Sequence, residues 1–461
     1  MAQPIAQDRP REELAVLGAL ALVFFAAHLG EALTPWIQGV DPFTRLYHID
    51  RTVVVVHGDV WPPVYQLLCR LLHRVCDRAW AYKVTNLVLA TVAMFLALAF
   101  VRRVTRFRVA VAFSLFFFLY GEWGFVATNP YMEPLFYALL AAGACLAQRG
   151  RWRPAIALFA TAGLTRAEVS IAAPVVLVAT YVATRSLRSV AWAALAVAPG
   201  LAWSLLGPAL DHAVYWPKAA SAGASIQLLG GLFDSFTTPS VHVVVALLAV
   251  GSTVAAILAW RTGEGRSLRA ILWVLVPMVA FIALYAGVVP FFHDFAPAWQ
   301  ARRSLLPTMA VYFVAAAHLL HERPWPELAT NRNLAAVVGA IAIAASFFGA
   351  PPPKKPAGYW LFQGTAAVFR GERAIAIDPP PPEDPNGPSD PAHRYYEQLT
   401  VYFRLAGWKL VPAPPSGAAC VPRLAWWESF PLSACPLPFE LARGIHACAM
   451  PCPGDGPRPP G

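Results

Sequence analysis

Charge is what this chain has least of: 13% of its 461 residues are Asp, Glu, Lys or Arg and 57% are hydrophobic, where water-soluble domains carry roughly 25% and 45–50%. So thin a charged complement excludes a polar surface all round, and the apolar excess needs a bilayer as its solvent. The runs Leu14 to Leu33, Leu87 to Val101 and Val241 to Trp260 approach or exceed the roughly 18–20 residues a helix needs to cross about 30 Å of hydrocarbon. They are too long and too uniformly apolar for barrel strands, so each is expected to be a helix that satisfies its own backbone hydrogen bonds in lipid. Acids are scarcer than bases, leaving a formal net charge of +10. In a soluble protein that would suggest nucleic acid, but here the arginines sit between apolar runs, where they orient spans, and no nucleic-acid partner is expected.

No cleavable signal is apparent either. The first apolar run is too long for a signal h-region and no convincing small-residue cleavage site follows it, so Leu14 to Leu33 reads as a retained anchor. Arg9 and Arg11, Arg102 to Arg108, Arg149 to Arg153, Arg185 and Arg188, and Arg261 to Arg269 then mark the cytoplasmic side. Residues 35–79, 121–130, 211–240, 291–301 and those beyond 351 fall outside. Two short apolar segments, Ala155 to Leu164 and Val169 to Tyr181, flank Thr165-Arg166-Ala167-Glu168 and read as a helical hairpin with a charged tip, where ionisable groups must pair or face a cavity. Counting both arms gives about eleven spans, with the N-terminus inside and the C-terminus outside. The expected fold is an all-α polytopic membrane protein over 1–350, with a small extracytoplasmic α/β region over 351–461.

The first outer loop is long, and loops of this length usually carry function. Within it, Val64 to Cys76 sets Leu67, Leu68, Leu71, Leu72 and Val75 against Arg70, His73 and Arg74, the pattern of an amphipathic helix on a membrane surface. Beyond Pro351 the chain turns proline-rich and polar, with Pro379 to Pro391 a linker, a strand-like Arg373 to Asp378 and a helical Pro391 to Leu405. Cys420, Cys435, Cys448 and Cys452 lie on the side where disulfides form, with three pairings open. Cys448 and Cys452 also suggest a metal site, but without a second such pair that reading is the weaker one.

Carboxylates at a membrane interface can serve as bases, and cations there can hold an anionic leaving group. Asp41 lies shortly after the first span, with Asp50 and Asp59 in the same loop. Glu133 opens a span, where the helix dipole alone would favour it. Arg166 and Glu168 are two residues apart and do not face one another on a regular helix, so an irregular or cavity-lining tip is expected. Arg302 and Arg303 begin a span from the outside, against the positive-inside trend, and a guanidinium there can grip phosphate in bidentate fashion. Tyr47, Trp61, Lys218 and His293 are further expected substrate contacts. Each of these has a structural alternative: loop acid, helix cap, neutralised pair or snorkelling cation.

Four local patterns over residues 14–320 resemble the C-type glycosyltransferases (GT-C), the superfamily of protein O-mannosyltransferases and lipid A aminoarabinose transferases. Asp41 before Tyr47, with Gly58 and Trp61-Pro62-Pro63 downstream, looks like the first-loop acidic motif. Met132-Glu133-Pro134-Leu135 looks like the acidic-proline start of the fourth span. Leu164-Thr165-Arg166-Ala167-Glu168 is similar to a Leu-Thr-Arg-Pro-Glu turn, with alanine for proline. Arg302-Arg303-Ser304-Leu305-Leu306-Pro307 looks like the late Arg-Tyr-x-x-Pro motif, with Ser304 for tyrosine. The resemblance implies an inverting transfer from a polyprenyl-phosphate sugar to a glycan, lipid or protein acceptor, in a multi-pass position of bacterial inner-membrane type. Asp41 would be the base, Glu133 would orient the acceptor or support Asp41, and Arg302, Arg303 and Arg166 would hold the lipid phosphate. No cofactor is expected to be required, although members that use lipid pyrophosphates can take a divalent ion. The rivals are a transporter or lipid-linked-sugar flippase and a non-catalytic scaffold. No second copy of the first-loop pattern marks the matching halves a transporter would show.

Overall fold

The computed structural model describes residues 9–51, 54–56, 59–104, 107–119, 121–166, 168–210, 339–340, 355–369, 374–378, 391–411, 423–426, 437–442 and 445–450. Among these, helix dominates, and the chain divides into two compact units. One takes Met1–Ala32, Thr52–Tyr65 and Val84–Pro351, and the other Leu33–Arg51, Gln66–Lys83 and Pro352–Gly461.

In the first unit, α1 (Arg9–Ala32) and most of α4 (Ala79–Val104) are helices over the apolar runs Leu14 to Leu33 and Leu87 to Val101. Their segments Arg11–Ala32 and Ala79–Arg103, with mean hydropathies of 1.9 and 2.3, are long and apolar enough to cross a membrane. Glu13 near the start of α1 accepts from Arg102 Nε near the end of α4 at 2.6 Å. The run Val241 to Trp260 lies outside the described residues.

Phe113, Phe116 and Phe117 of α5 (Phe107–Leu119) build an aromatic core with Trp123. Residues 121–130, read from sequence as a loop, begin instead with a short helix, α6 (Gly121–Ala127). Trp123, Val126 and Ala127 fall at helical spacing and are all buried. Next come α7 (Glu133–Gln148) and α8 (Trp152–Gly163), joined by residues 149–151. So short a connection forces neighbouring helices to run antiparallel. Gly143 of α7 faces Phe159 of α8, where a Cβ would lie 2.6 Å from the ring. α9 (Glu168–Thr184) and α10 (Leu187–Leu210) follow. The expected hairpin arms are thus α8 and α9, with α10 packed along both. A Cβ on Gly200 of α10 would meet the Gly163 carbonyl oxygen at 2.9 Å, so this crossing requires glycine.

The segment between α2 and α3 contains a β-ribbon, β1 (Val54–Val56) against β2 (Asp59–Trp61), with Val54 opposite Trp61. A run of β-branched valines fits a pleated strand well, and Trp203 of α10 donates to the Trp61 carbonyl at 3.3 Å.

The second unit contains α2 (Val40–Tyr47), most of α3 (Pro63–Val75), α11 (Ala357–Val368), α12 (Pro391–Leu405) and a five-stranded sheet in the order β4-β3-β5-β7-β6. The strands are β3 (Ala374–Ile377), β4 (Lys409–Leu410), β5 (Arg423–Trp426), β6 (Leu437–Ala442) and β7 (Ile445–Met450). β3 runs parallel to β4 and β5, while β7 pairs antiparallel with β5 and β6. Parallel neighbours need a crossover, and α12 supplies the one from β3 to β4. Its Leu399 and Phe403 pack on Ile375, Leu424 and Phe369, and Asp378 just after β3 accepts two bonds from Arg423 Nε, at 3.0 and 2.7 Å. The strand expected at Arg373 to Asp378 and the helix at Pro391 to Leu405 are β3 and α12. Cys69, Cys76 and Cys145 carry thiols rather than disulfides. Cys420, Cys435 and Cys452 lie outside the described residues, so no pairing with Cys448 is described.

α3 matches the amphipathic helix expected at Val64 to Cys76, and its polarity is inverted relative to a soluble helix. Leu67, Leu71 and Val75, one turn apart, are exposed, while Tyr65, Gln66 and Cys69 are buried.

Candidate functional site

The antiparallel α7–α8 pair brings the start of one helix and the end of the other to the same place. Glu133 is the first residue of α7, followed by Pro134, whose missing N–H is unneeded in the first turn. Arg166 follows the end of α8, where Leu164, Thr165 and Arg166 fold back on the carbonyls of Ala160 and Ala162. Their side chains meet: Arg166 Nη1 ion-pairs with Glu133 Oε1, and the side chains are 4% and 0% exposed. The guanidinium also stands 5.9 Å from the Phe136 ring centroid. Each charge is thereby favoured by its helix end, carboxylate at an N-terminus and guanidinium at a C-terminus. Arg166 thus reaches Glu133 across the helix pair. The turn is docked on the start of α3, where the Val64 amide donates to the Leu164 carbonyl at 3.1 Å.

A residue that sequence reasoning passed over organises the approach to Glu133. Asn86 of α4 is 1% exposed. Its amide nitrogen donates to the carbonyls of Val126 at 3.1 Å, Tyr131 at 2.7 Å and also Asn129, while its oxygen accepts from the Tyr65 hydroxyl at 2.6 Å. Three carbonyls share two N–H groups, and the segment leading into α7 is clamped to α4 by an amide that Tyr65 holds in place. The signal in the sequence was a lone amide in an otherwise apolar span, a costly placement that calls for partners.

In the second unit, Gly39 with φ of 89° turns the chain into α2, a conformation that side-chain-bearing residues rarely adopt. Asp41 sits in the first turn of α2, partly exposed. Thr44, three residues on, donates through Oγ1 to Glu397 Oε2 of α12 at 2.9 Å. Tyr47 ends the helix with its ring edge-on to Tyr396, at 5.8 Å between centroids. Burial pushes the Tyr47 phenol well above its ordinary range, reinforced by Tyr396 and the charge of Glu397, so it remains protonated at neutral pH. His48, the C-cap, is pushed the other way by burial and then by Arg51, which favours neutral imidazole. Asp50 is exposed. Arg45 is buried and donates to Gln66 Oε1 at 3.3 Å, and Gln66 in turn donates to the His48 carbonyl at 2.9 Å.

α12 grips this segment along its length. The Tyr402 hydroxyl donates to the Ile37 carbonyl at 2.9 Å and Arg404 Nη1 to the Leu46 carbonyl at 2.7 Å. Arg404 Nε also reaches Asp77 Oδ2 at 3.0 Å; Asp77 accepts from the Tyr82 hydroxyl at 2.8 Å and lies 3.0 Å from His73 Nδ1.

Of the residues singled out from sequence, Glu133 and Arg166 are in contact and share the first unit with Trp61, while Asp41, Tyr47 and Asp50 belong to the second. Lys218, His293, Arg302 and Arg303 lie outside the described residues. Among the described residues, no three His, Cys, Asp or Glu side chains gather as a metal ion would require.

No protein-family model matches the chain, and no curated protein matches it. Among solved structures it is similar to the crystal structure of ArnT from Cupriavidus metallidurans in the apo state, with 12% identity and a TM-score of 0.41 over 96% of this chain and 98% of that one. At that distance the functional reading depends on the chain's own residues.

Proposed function

We propose that this chain is an integral membrane glycosyltransferase of C type that moves a sugar from a polyprenyl-phosphate donor to an extracytoplasmic acceptor, with inversion. The observation that carries the reading is the buried Glu133–Arg166 pair: two motifs distant in sequence, each suspected of handling substrate, meet at one end of a helix pair. A charge pair so far from water is expensive unless function retains it. Membrane residence is supported by the two long apolar helices, of whose windows only 22% and 39% is buried within the protein. Leu22, Val88, Val178 and Leu206 accordingly present apolar side chains outward.

In this mechanism the Asp41 carboxylate accepts the proton of the acceptor nucleophile as that atom attacks the anomeric carbon. Attack comes from the face opposite the phosphate, the sugar–phosphate C–O bond breaks, and the lipid phosphate leaves with the electron pair. Arg302 and Arg303 hold that phosphate together with Arg166. Glu133 fixes the Arg166 guanidinium beforehand, so little reorganisation accompanies the build-up of charge. Because guanidinium groups neutralise the leaving group, no metal is assigned, and transfer is expected to survive a chelator.

The test is sugar transfer by the purified full chain in lipid, from a panel of radiolabelled polyprenyl-phosphate sugars to a membrane extract. Transfer by wild type that disappears in a folded Asp41→Asn variant is expected. Equal transfer by that variant removes Asp41 from its role, and no transfer from any donor returns the chain to the flippase or scaffold class.

A further inference from the structure

α2 carries Asp41, Thr44 and Tyr47 at three-residue steps, so Thr44 is a surface neighbour of both. Most contacts that α12 makes with this segment hold its backbone or its apolar side: Tyr402 takes the Ile37 carbonyl and packs edge-on to Phe43, and Arg404 takes the Leu46 carbonyl. Glu397 differs, because it accepts from a side chain beside Asp41. Thr44 is 6% exposed, and its hydroxyl points at Glu397 Oε2 from 2.9 Å. Tyr396, the preceding residue, closes on Tyr47 one turn further along. A hydrogen bond to an ionised carboxylate is shorter and about twice as strong as a neutral one, so this contact fixes the helical turn from which Asp41 projects.

We infer that Glu397, supplied by the C-terminal segment, is a positioning residue for Asp41 and acts through Thr44. This rests on the reading of Asp41 as the base. It makes residues beyond 351 a working part of the first-loop machinery, and it predicts that damage at a position more than 350 residues away in sequence reads out in the chemical step.

The experiment uses the full chain in lipid nanodiscs and normalises rates to folded protein. Glu397→Ala and Thr44→Val are each expected to lower kcat about 10- to 100-fold, the scale of a misplacement near 1 Å, with the donor KM within about twofold of wild type. The double variant is expected to be no worse than either single one, since both remove the same bond. Glu397→Gln keeps an oxygen acceptor for Thr44 and is expected to restore kcat to within about threefold of wild type. Wild-type kcat per folded Glu397→Ala molecule overturns the inference while leaving Asp41 in place. Independent, multiplying losses in the double variant overturn it too, as does a Glu397→Gln variant as impaired as Glu397→Ala. If Asp41→Asn transfers as well as wild type, both readings fall together.

Discussion

At the end of the α7–α8 pair a carboxylate and a guanidinium meet out of reach of water, 0% and 4% exposed. Where α12 meets the first-loop segments, charge is spread over many partners: Asp77 serves Arg404, Tyr82 and His73, and Arg404 also holds the Leu46 carbonyl. Asp77 and Arg404 are each 19% exposed. A concentrated buried pair fails sharply when one member is removed, because the survivor is a charge in an apolar place. A distributed, partly wet network fails gradually, since water and the remaining partners take up the loss.

The largest expected effect is therefore at the buried corner. Arg166→Ala should destabilise the helical unit by about 3–5 kcal/mol, and Arg166→Met together with Glu133→Leu by much less than the sum of the single changes. Thermal unfolding in detergent of the four forms measures the coupling. Additive losses would show that the two side chains are energetically independent despite their contact. Next comes the clamp. Asn86→Leu removes the donor of the Val126 and Tyr131 carbonyls and leaves the Tyr65 hydroxyl without its acceptor, while Asn129 keeps the Tyr131 amide at 2.7 Å. A loss of about 2–3 kcal/mol is expected, with exchange protection falling at 126–131. Unchanged protection there would assign the ordering of this segment to packing. Asp77→Asn keeps the shape and removes the charge; with Arg404 and His73 partly exposed and the buried Tyr82 hydroxyl still offered an oxygen acceptor, the expected loss is about 1–2 kcal/mol.

Legibility follows the same division. The first span, α4, α3, β3 and α12 could be read because each announces itself locally, through apolar length or through the period of its apolar residues. Glu133 and Arg166 were each visible as a charge where charge is costly, yet neither named the other, since their meeting depends on the length of two helices and a three-residue turn. α6 and the β1–β2 ribbon were each too short to announce themselves. Nothing between residues 33 and 83 announces that these segments pack with residues beyond 352. That pairing is made by single side chains, Thr44 on Glu397, Arg78 on the Leu405 carbonyl, Tyr402 on the Ile37 carbonyl, and no periodicity encodes it.

The smallest expected effect tests whether the α2 end is as forgiving as its neighbours suggest. His48 caps α2 with its pKa pushed below the ordinary 6.5, first by burial and then by Arg51. When the pH falls through about 6.5, the unfolded chain takes up a proton on this imidazole that the folded chain refuses. Stability is therefore lost between that pH and the lower folded-state value, and above about 7 the group contributes no pH dependence. His48→Gln should flatten the decline of the unfolding midpoint between pH 7 and 5 and leave the midpoint's pH dependence above 7 unchanged. A variant whose decline is as steep as that of wild type would mean that His48 accepts its proton in place. The network around α2 would then be wet enough to admit a charge that the Glu133–Arg166 corner could not.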